Sequence, residues 1–363
     1  MPADPRAAAM RFSVDAWDPA YGTSLEVEEF LSESTARVDV TVELHPGQWR
    51  AIDPDPGLAL PDALLFVDGV RRIEARVWIE GEAPDGGPAS EASIGLCASY
   101  AAGVVCCCGQ QAHLVQFETR RGLFTVAPRA DSILTWAGEY TACRTAANPA
   151  RPLSLTLSQA LQRRLGDVEV RTAAAARAGL TGHGVPDGGD LLVIDGPLRG
   201  RQHLPRALGY IKSHTKTYLP PDLNVLVATL RPGQRTPVFL IGTTWDRHTW
   251  YLRLPAGSST AAGTDTAGPA WNGIVRIECP ADLPATEVIG LAQLSQVCLG
   301  RFASDEYKDA RAPQNLYPIA GLERELRRRL GDPRLLYRAL RMTAQAARAN
   351  QPVFARPADV QEP

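Results

Sequence analysis

The chain has 363 residues, 45% of them hydrophobic, and its 38 basic and 40 acidic side chains leave a formal net charge of −2. Such a length and composition suit a folded globular protein of one large domain or two smaller ones and argue against a disordered chain. The near-neutral balance argues against a simple nucleic-acid coat, while leaving room for basic groups confined to a groove, and no apolar run is long enough to span a bilayer.

The N-terminus, MPADPRAAAMRF, has a short Ala run without an apolar signal core, so a cytoplasmic location is expected. Residues 1–58 read as an N-terminal accessory segment and linker. SLEVEEFLSES suits a short helix, ARVDVTVEL alternates as a strand, and DPDPGLALP interrupts both patterns. The main domain is expected over residues 59–346. It opens with a short apolar strand, Leu64–Val67, ending in Asp68-Gly69, followed by a second in which Ile73, Ala75 and Val77 alternate with charged neighbours. APDGGPAS reads as a loop and ASIGLCASYAAGVVCCC as a third strand of an antiparallel meander. HLVQFETRRGLFTV belongs to a fourth strand pair.

A helix capped by Ser154 or Thr156 is expected through LSQALQRRLGDVEVRTAAAARAGL, ending at Gly179 and the Gly-rich TGHGVPDGGD. LLVID then forms a near-continuous apolar run, as in a strand buried on both faces, and it too meets an Asp-Gly pair, Asp195-Gly196. NVLVATL, PVFLIGTTW, TWYLRLP and GIVRIEC read as further strands and SSTAAGTDTAG as a flexible loop. TEVIGLAQLSQVCLGRF suits a helix, and LERELRRRLGDPRLLYRALRMTAQAARA one or two more. Residues 347–363 are expected to be a disordered tail.

Three of the seven cysteines are consecutive: Cys106, Cys107 and Cys108. Neighbours on a strand face opposite ways, so the three cannot all converge on one ion. Without a C-x-x-C spacing they read as small hydrophobes in a reducing compartment rather than as a zinc site.

This order of elements defines an α/β fold class, a ribonuclease-H-like mixed sheet flanked by helices. In that architecture the strand after the first helix lies parallel to the first strand, as its neighbour, which brings Asp68 and Asp195 together at one edge. Each Asp-Gly taken singly also suits a tight turn. Two adjacent carboxylates repel unless a cation joins them, and hard oxygen donors favour Mn²⁺ or Mg²⁺. Two such ions about 4 Å apart can activate water and stabilise the leaving oxygen of a phosphodiester.

In order along residues 60 to 345, FVDG (66–69), LGDVEVRTA (165–173), LLVIDGPLR (191–199), GYIKSH (209–214), LRPGQRTPVFLIG (230–242), TWYLRLP (249–255), WNGIVRIE (271–278) and APQNLYPIAGLE (312–323) resemble the NurA family of DNA-end-processing nucleases. The resemblance implies a ribonuclease-H-like nuclease fold, manganese-dependent DNA cleavage, a ring-like homodimer and a HerA-type hexameric DNA-translocating ATPase as partner. It places catalytic, metal-binding acids on Asp68, Glu169 and Asp195. Glu169 has a second reading as an acid on a solvated helix face. Near the C-terminus the family pattern has Tyr-Pro followed by Ala-His. Tyr317 and Pro318 match, but Leu322-Glu323 stands where Ala-His is expected. Glu323 either supplies an oxygen ligand instead or opens the helix LERELRRRL as a surface acid near its positive dipole end.

Lys212, His214 and Lys216 follow the second acid-bearing strand, Arg231 and Arg235 bracket PGQ, and Arg253 and Arg276 interrupt apolar strands. Of these, Lys212, His214, Arg235, Arg253 and Arg276 are expected to contact DNA phosphates, which position a strand without reading its sequence. Trp245, Trp250 and Trp271 either stack bases or pack the core. The expected function is a metal-dependent nuclease acting on DNA ends or single strands with a HerA-type ATPase, in repair or in defence against foreign DNA. The alternatives are a catalytically inactive, nuclease-derived clamp or adaptor for that ATPase, and a ribonuclease-H-like enzyme acting on RNA or hybrids.

Overall fold

The computed structural model describes residues 32–33, 36–80, 92–108, 111–180, 185–186, 188–214, 216–255, 271–305 and 307–349. The strands before the first long helix are β1 (Ser32–Glu33), β2 (Arg37–Asp39), β3 (Ala63–Glu80), β4 (Ala92–Cys108), β5 (Gln111–Thr125), β6 (Ile133–Thr135) and β7 (Gly138–Arg144). Helix α1 (Leu153–Leu180) leads to β8 (Asp190–Asp195), β9 (Ala207–Ile211), β10 (Lys216–Thr217) and α2 (Pro221–Thr229). The chain continues through β11 (Phe239–Gly242), β12 (Asp246–Arg253), β13 (Ile274–Pro280), α3 (Ala285–Leu299), α4 (Tyr317–Arg329) and α5 (Pro333–Ala349).

These residues fall into two compact units. The first is drawn from Met1–Asp68, Gly103–Gln116 and Val170–Glu323, the second from Gly69–Ala102, Phe117–Glu169 and Arg324–Pro363. In the first the strand order is β2-β11-β12-β13-β9-β8-β3. The pairs β3–β8 and β8–β9 are parallel, while β9–β13, β13–β12, β12–β11 and β11–β2 are antiparallel, so the sheet is mixed.

Alternation along β3 and β8 sends Leu64, Phe66, Leu191 and Val193 into one cluster, with Val288, Leu291 and Leu299 of α3. It sends Leu65, Val67, Leu192 and Ile194 into another, with Ala173, Ala176 and Leu180 of α1. Helices thus flank both faces, which is why these strands are apolar at nearly every position rather than every second one. Each such side chain contributes roughly 1.5–3 kcal/mol by leaving water.

In the second unit the order is β3-β4-β5-β7-β6, with β5–β7 parallel and β6–β7 antiparallel. Leu96, Ala98 and Tyr100 of β4 pack with Leu157, Leu161 and Leu165 of α1. Cys97, Leu123 and Tyr140 pack with Leu340 of α5, joined by Ala75, Val77 and Ile79. The terminal helices are two, separated at Gly331, whose φ of +86° ends the first, and Asp332, whose Oδ1 accepts from the amides of Arg334 and Leu335.

Several elements differ from expectation for identifiable reasons. Asp68-Gly69 is no turn: β3 runs 18 residues and joins what read as two strands. Gly69 makes room rather than a turn: a Cβ there would lie 2.6 Å from Glu169 Oε1 and 2.7 Å from Leu165 Cδ1, so both side chains would have to shift. NVLVATL is not a strand but helix α2. Its β-branched content suggests a strand, yet Pro221 suits a first helical turn, and Leu223, Val227 and Leu230, spaced by four and three, pack with Phe239 and Ile241. Neither Ser154 nor Thr156 caps α1, which begins at Leu153; Thr156 already lies in its first turn, donating its hydroxyl to Pro152 O at 3.3 Å.

The described part of residues 1–58, read as an accessory segment and linker, contributes to the first unit. β2 pairs with β11, and Ile52 bridges Arg235. ARVDVTVEL yields only the short β2, because Asp39 Oδ1 takes the amide (2.9 Å) and hydroxyl (2.6 Å) of Thr41 and turns the chain. Apart from Ser32–Glu33, SLEVEEFLSES lies outside the described residues, as do APDGGPAS, SSTAAGTDTAG and residues 350–363; residues 347–349 belong to α5. Among the described residues no helix is long and apolar enough to cross a membrane.

Candidate metal centre

The parallel register of β3 and β8 sets Val67 opposite Ile194, and one step further it sets Asp68 beside Asp195. Beyond Asp195 the chain turns away at Gly196, whose φ of +96° is one that residues with a Cβ rarely adopt. The third carboxylate comes from α4. Ile319 and Leu322 bury one side of this helix, and Glu323, one turn beyond Ile319, shares that side at 6% exposure. α4 begins at Tyr317, so Glu323 is neither a surface acid nor at a helix start. Carboxylate oxygens of Asp68, Asp195 and Glu323 all lie within 4.8 Å of one another.

Two cations and two further polar side chains hold these acids in place. Lys212 donates from Nζ to Asp195 Oδ2 at 2.6 Å and to Asn315 Oδ1 at 3.1 Å. Asn315 Nδ2 donates to Asp309 Oδ2, and Asp309 Oδ1 accepts the Arg311 amide at 2.8 Å. Arg311 then grips Glu323 with both arms, Nη1 to Oε1 at 3.1 Å and Nη2 to Oε2 at 2.7 Å. A continuous polar chain therefore runs from Asp195 through Lys212, Asn315, Asp309 and Arg311 to Glu323. Below it Tyr210, wholly buried, donates its hydroxyl to Gln314 O at 2.6 Å; burial and then the neighbouring Asp195 push its pKa well up.

Asp68, Asp195, Glu323 and Asp309 bring four carboxylates together beside Lys212 and Arg311. Concentrating like charges where little water reaches them is costly unless a counter-ion joins them. All three clustered donors are hard carboxylate oxygens, the set that Mg²⁺ and Mn²⁺ prefer, so the residues fit the metal the sequence implies.

Glu169 belongs to the second unit, on α1. It is 4% exposed, with its carboxylate against Gly69, and is therefore not on a solvated face. Tyr317 donates its hydroxyl to Asp305 Oδ2 and accepts the Asp305 amide at 3.2 Å. Of the residues expected to contact phosphate, Lys212 alone among the described ion pairs and hydrogen bonds reaches a clustered carboxylate directly from the β9 end.

The others are committed elsewhere. Arg235 is fully buried in a two-armed pair with Glu43 (2.7 and 2.8 Å) and donates to Gln296 at 2.9 Å; it is a core residue rather than a groove residue. Arg253 donates to the carbonyls of Asn272 and Ala228. Arg276 pairs with buried Glu278 at 3.2 Å and lies 5.0 Å from the Tyr218 ring centroid. His214 is hydrogen-bonded to Ile274 O at 2.9 Å and lies against Tyr251 and Trp271. Arg253 and Arg276 share a cause: a long basic side chain inside an apolar strand is buried by the sheet and must find its partner there. Trp250 is a core residue, donating to Ser295 Oγ at 3.0 Å, whereas Trp245 lies under the Arg247 guanidinium at 4.8 Å.

Sequence reasoning misses Arg311, Asp309 and Asn315. The only signal was position, since Asn315 lies inside the APQNLYP segment and Arg311 directly before it. It also misses a second group of donors: Cys106 and Cys108 come together with His113 of the next strand, all within 4.8 Å. The alternation that keeps Cys107 apart is the same alternation that pairs the other two.

Fold and site together define an α/β protein with a carboxylate centre where the parallel pairing of β3 and β8 ends. No protein-family model matches the chain, and no curated protein matches it. Among solved structures the chain is similar to the NurA nuclease from Sulfolobus solfataricus, at 9% sequence identity and a TM-score of 0.40, with 85% of this chain and 89% of that chain covered.

Proposed function

We propose that this chain is a divalent-metal-dependent nuclease that hydrolyses phosphodiester bonds in DNA. The observation that carries the reading is the convergence of Asp68, Asp195 and Glu323, three carboxylates from three separate elements, within 4.8 Å. These three would hold Mn²⁺ or Mg²⁺, which when bound polarises the phosphodiester and lowers the pKa of water. Lys212 keeps Asp195 oriented and brings a positive charge to the rim, where a phosphate oxygen of the strand can meet it. Arg311 fixes the Glu323 carboxylate, so that the donor set is organised before any ion arrives. In the overall reaction water adds its oxygen to phosphorus, the phosphorus–oxygen bond to the leaving nucleotide breaks, and the leaving oxygen takes up a proton. On the sequence resemblance the proposal extends to DNA ends or single strands as substrate, to a homodimer, and to a HerA-type hexameric ATPase as partner in repair or defence.

A second reading, a non-cutting clamp or adaptor for such an ATPase, is favoured by one observation. Lys212 and Arg311 already neutralise two of the three acids and can take the place of an ion. Incubating the purified chain with linear DNA and Mn²⁺ separates the two. Degradation that disappears in Asp68→Asn and Asp195→Asn supports the nuclease. Intact DNA, with and without the ATPase, supports the clamp.

A further inference from the structure

β4 ends in Cys106-Cys107-Cys108 and β5 begins at Gln111, so only residues 109–110 separate the two strands. Cys107 packs into the cluster that contains Phe66 and Val193. Cys106 and Cys108 join the opposite cluster, with Val67 and, from β5, Val115. His113 lies on the same side as Val115, two residues before it, and its Nδ1 is 4.0 Å from Cys108 Sγ. The three donors grade from core to surface: Cys106 is buried, Cys108 half-buried and His113 exposed.

We propose that Cys106, Cys108 and His113 form a binding site for a thiophilic divalent cation, Zn²⁺, distinct from the carboxylate centre. Two thiolates and an imidazole are the donors zinc selects, and they are poor donors for Mn²⁺ or Mg²⁺. The spacing is right. With bonds of about 2.3 Å, two sulfurs on a tetrahedral zinc stand roughly 3.8 Å apart, so donors already within 4.8 Å need close by only about an ångström. The backbone is fitted to the task as well, because all three donors sit on strands joined by a two-residue connection, and sites built on strands are held more closely than sites on loops.

A Cys106–Cys108 disulfide is the competing use of these thiols. Two residues apart on an extended strand, their Cα atoms are separated by about 6.6 Å, near the upper limit for a bridge. Both thiols are free in the structure. Zinc binding would release the two thiol protons to solvent and leave the fourth position, on the His113 side, to water.

The test uses the full chain, reduced and stripped of metal with a chelator, then titrated with Co²⁺ as a spectroscopic stand-in. A near-ultraviolet thiolate-to-cobalt charge-transfer band is expected, saturating at one equivalent and abolished by added Zn²⁺. Cys108→Ser and His113→Ala should weaken or remove the band. Cys107→Ser and Asp195→Asn should leave it intact, the latter keeping this site separate from the carboxylate centre. His113 is exposed, so its replacement tests the site even if a cysteine variant folds poorly. No charge-transfer band in the reduced wild-type chain, or an unchanged titration in both Cys108→Ser and His113→Ala, would overturn the proposal.

Discussion

Glu323 is held by both arms of Arg311, at 3.1 and 2.7 Å, on the buried side of α4 and within reach of Asp68 and Asp195. This pairing makes Glu323 a buried, clamped carboxylate and not a surface charge, and under the proposed function it is an oriented oxygen donor. Glu323→Gln keeps the shape and removes the charge, so it should weaken Mn²⁺ binding. Arg311→Lys keeps the charge and loses the two-armed grip, and positioning changes of this kind cost about 10- to 100-fold in metal affinity. Calorimetric titration of Mn²⁺ into each variant checks both. An Arg311→Lys protein with wild-type affinity would remove Arg311 from the positioning role.

The crowding of acids at the centre predicts how metal and fold are linked. An ion that binds only the folded chain adds RT ln(1 + [L]/Kd), about 2.7 kcal/mol at a hundredfold excess over Kd. Thermal unfolding of the wild-type chain should therefore shift upward with Mn²⁺ concentration and return to its starting point with chelator. Asp68→Asn removes one of the clustered acids, so the unfolding temperature of this variant should be insensitive to Mn²⁺. A variant destabilised without metal yet still stabilised by Mn²⁺ would mean that Asp68 serves the fold and not the ion.

Arg235 tests the difference between a DNA contact and a core pair. Its guanidinium is wholly buried against Glu43, Gln296 and Thr236. Arg235→Ala strands the Glu43 carboxylate, and breaking one side of such a pair costs roughly 3–5 kcal/mol. Urea unfolding should show that loss. The dependence of DNA affinity on salt should not change, since no phosphate contact is removed. A stable Arg235→Ala protein whose salt slope drops by about one would restore the phosphate role.

How much of this could be read from the chain depends on where local pattern ends and long-range pairing begins. Leu64–Val67 and Leu191–Ile194 are apolar throughout because helices cover both faces, and runs of that kind, each followed by an acid, reveal Asp68 and Asp195 as neighbours on adjacent strands. Glu323 is ambiguous because LERELRRRL looks like a helix start, while α4 actually begins five residues before that stretch, at a Tyr-Pro with no capping signature. The basic residues inside β12 and β13 are visibly buried, but nothing local says that their partners are carbonyls and Glu278. For Arg235 the partner lies 192 residues away, in a segment that reads as accessory. Arg311, Asp309 and Asn315 sit in a connection with no periodicity at all, so only coordinates bring them to the site.

His248 predicts how stability responds to acid. Burial dominates its environment and lowers its pKa below the ordinary 6.5, outweighing the opposite pull of the Ala281 and Leu283 backbone and of Asp282 and Asp39. The folded chain then takes up this proton at lower pH than the unfolded chain does, so between the two pKa values the unfolded chain binds more protons and stability rises with pH. The His248 contribution is complete above about pH 6.5 and is lost as the pH falls toward the folded pKa. Asp39, whose carboxyl is held below 3.8 chiefly by its hydrogen bonds to Thr41, loses its contribution in a separate and more acidic window. Urea midpoints measured from about pH 7.5 down to about pH 5 should fall for the wild type and fall less for His248→Gln, which stays neutral throughout. Parallel pH profiles for the two proteins would assign the loss to other groups and mean that His248 takes up its proton at the same pH folded and unfolded.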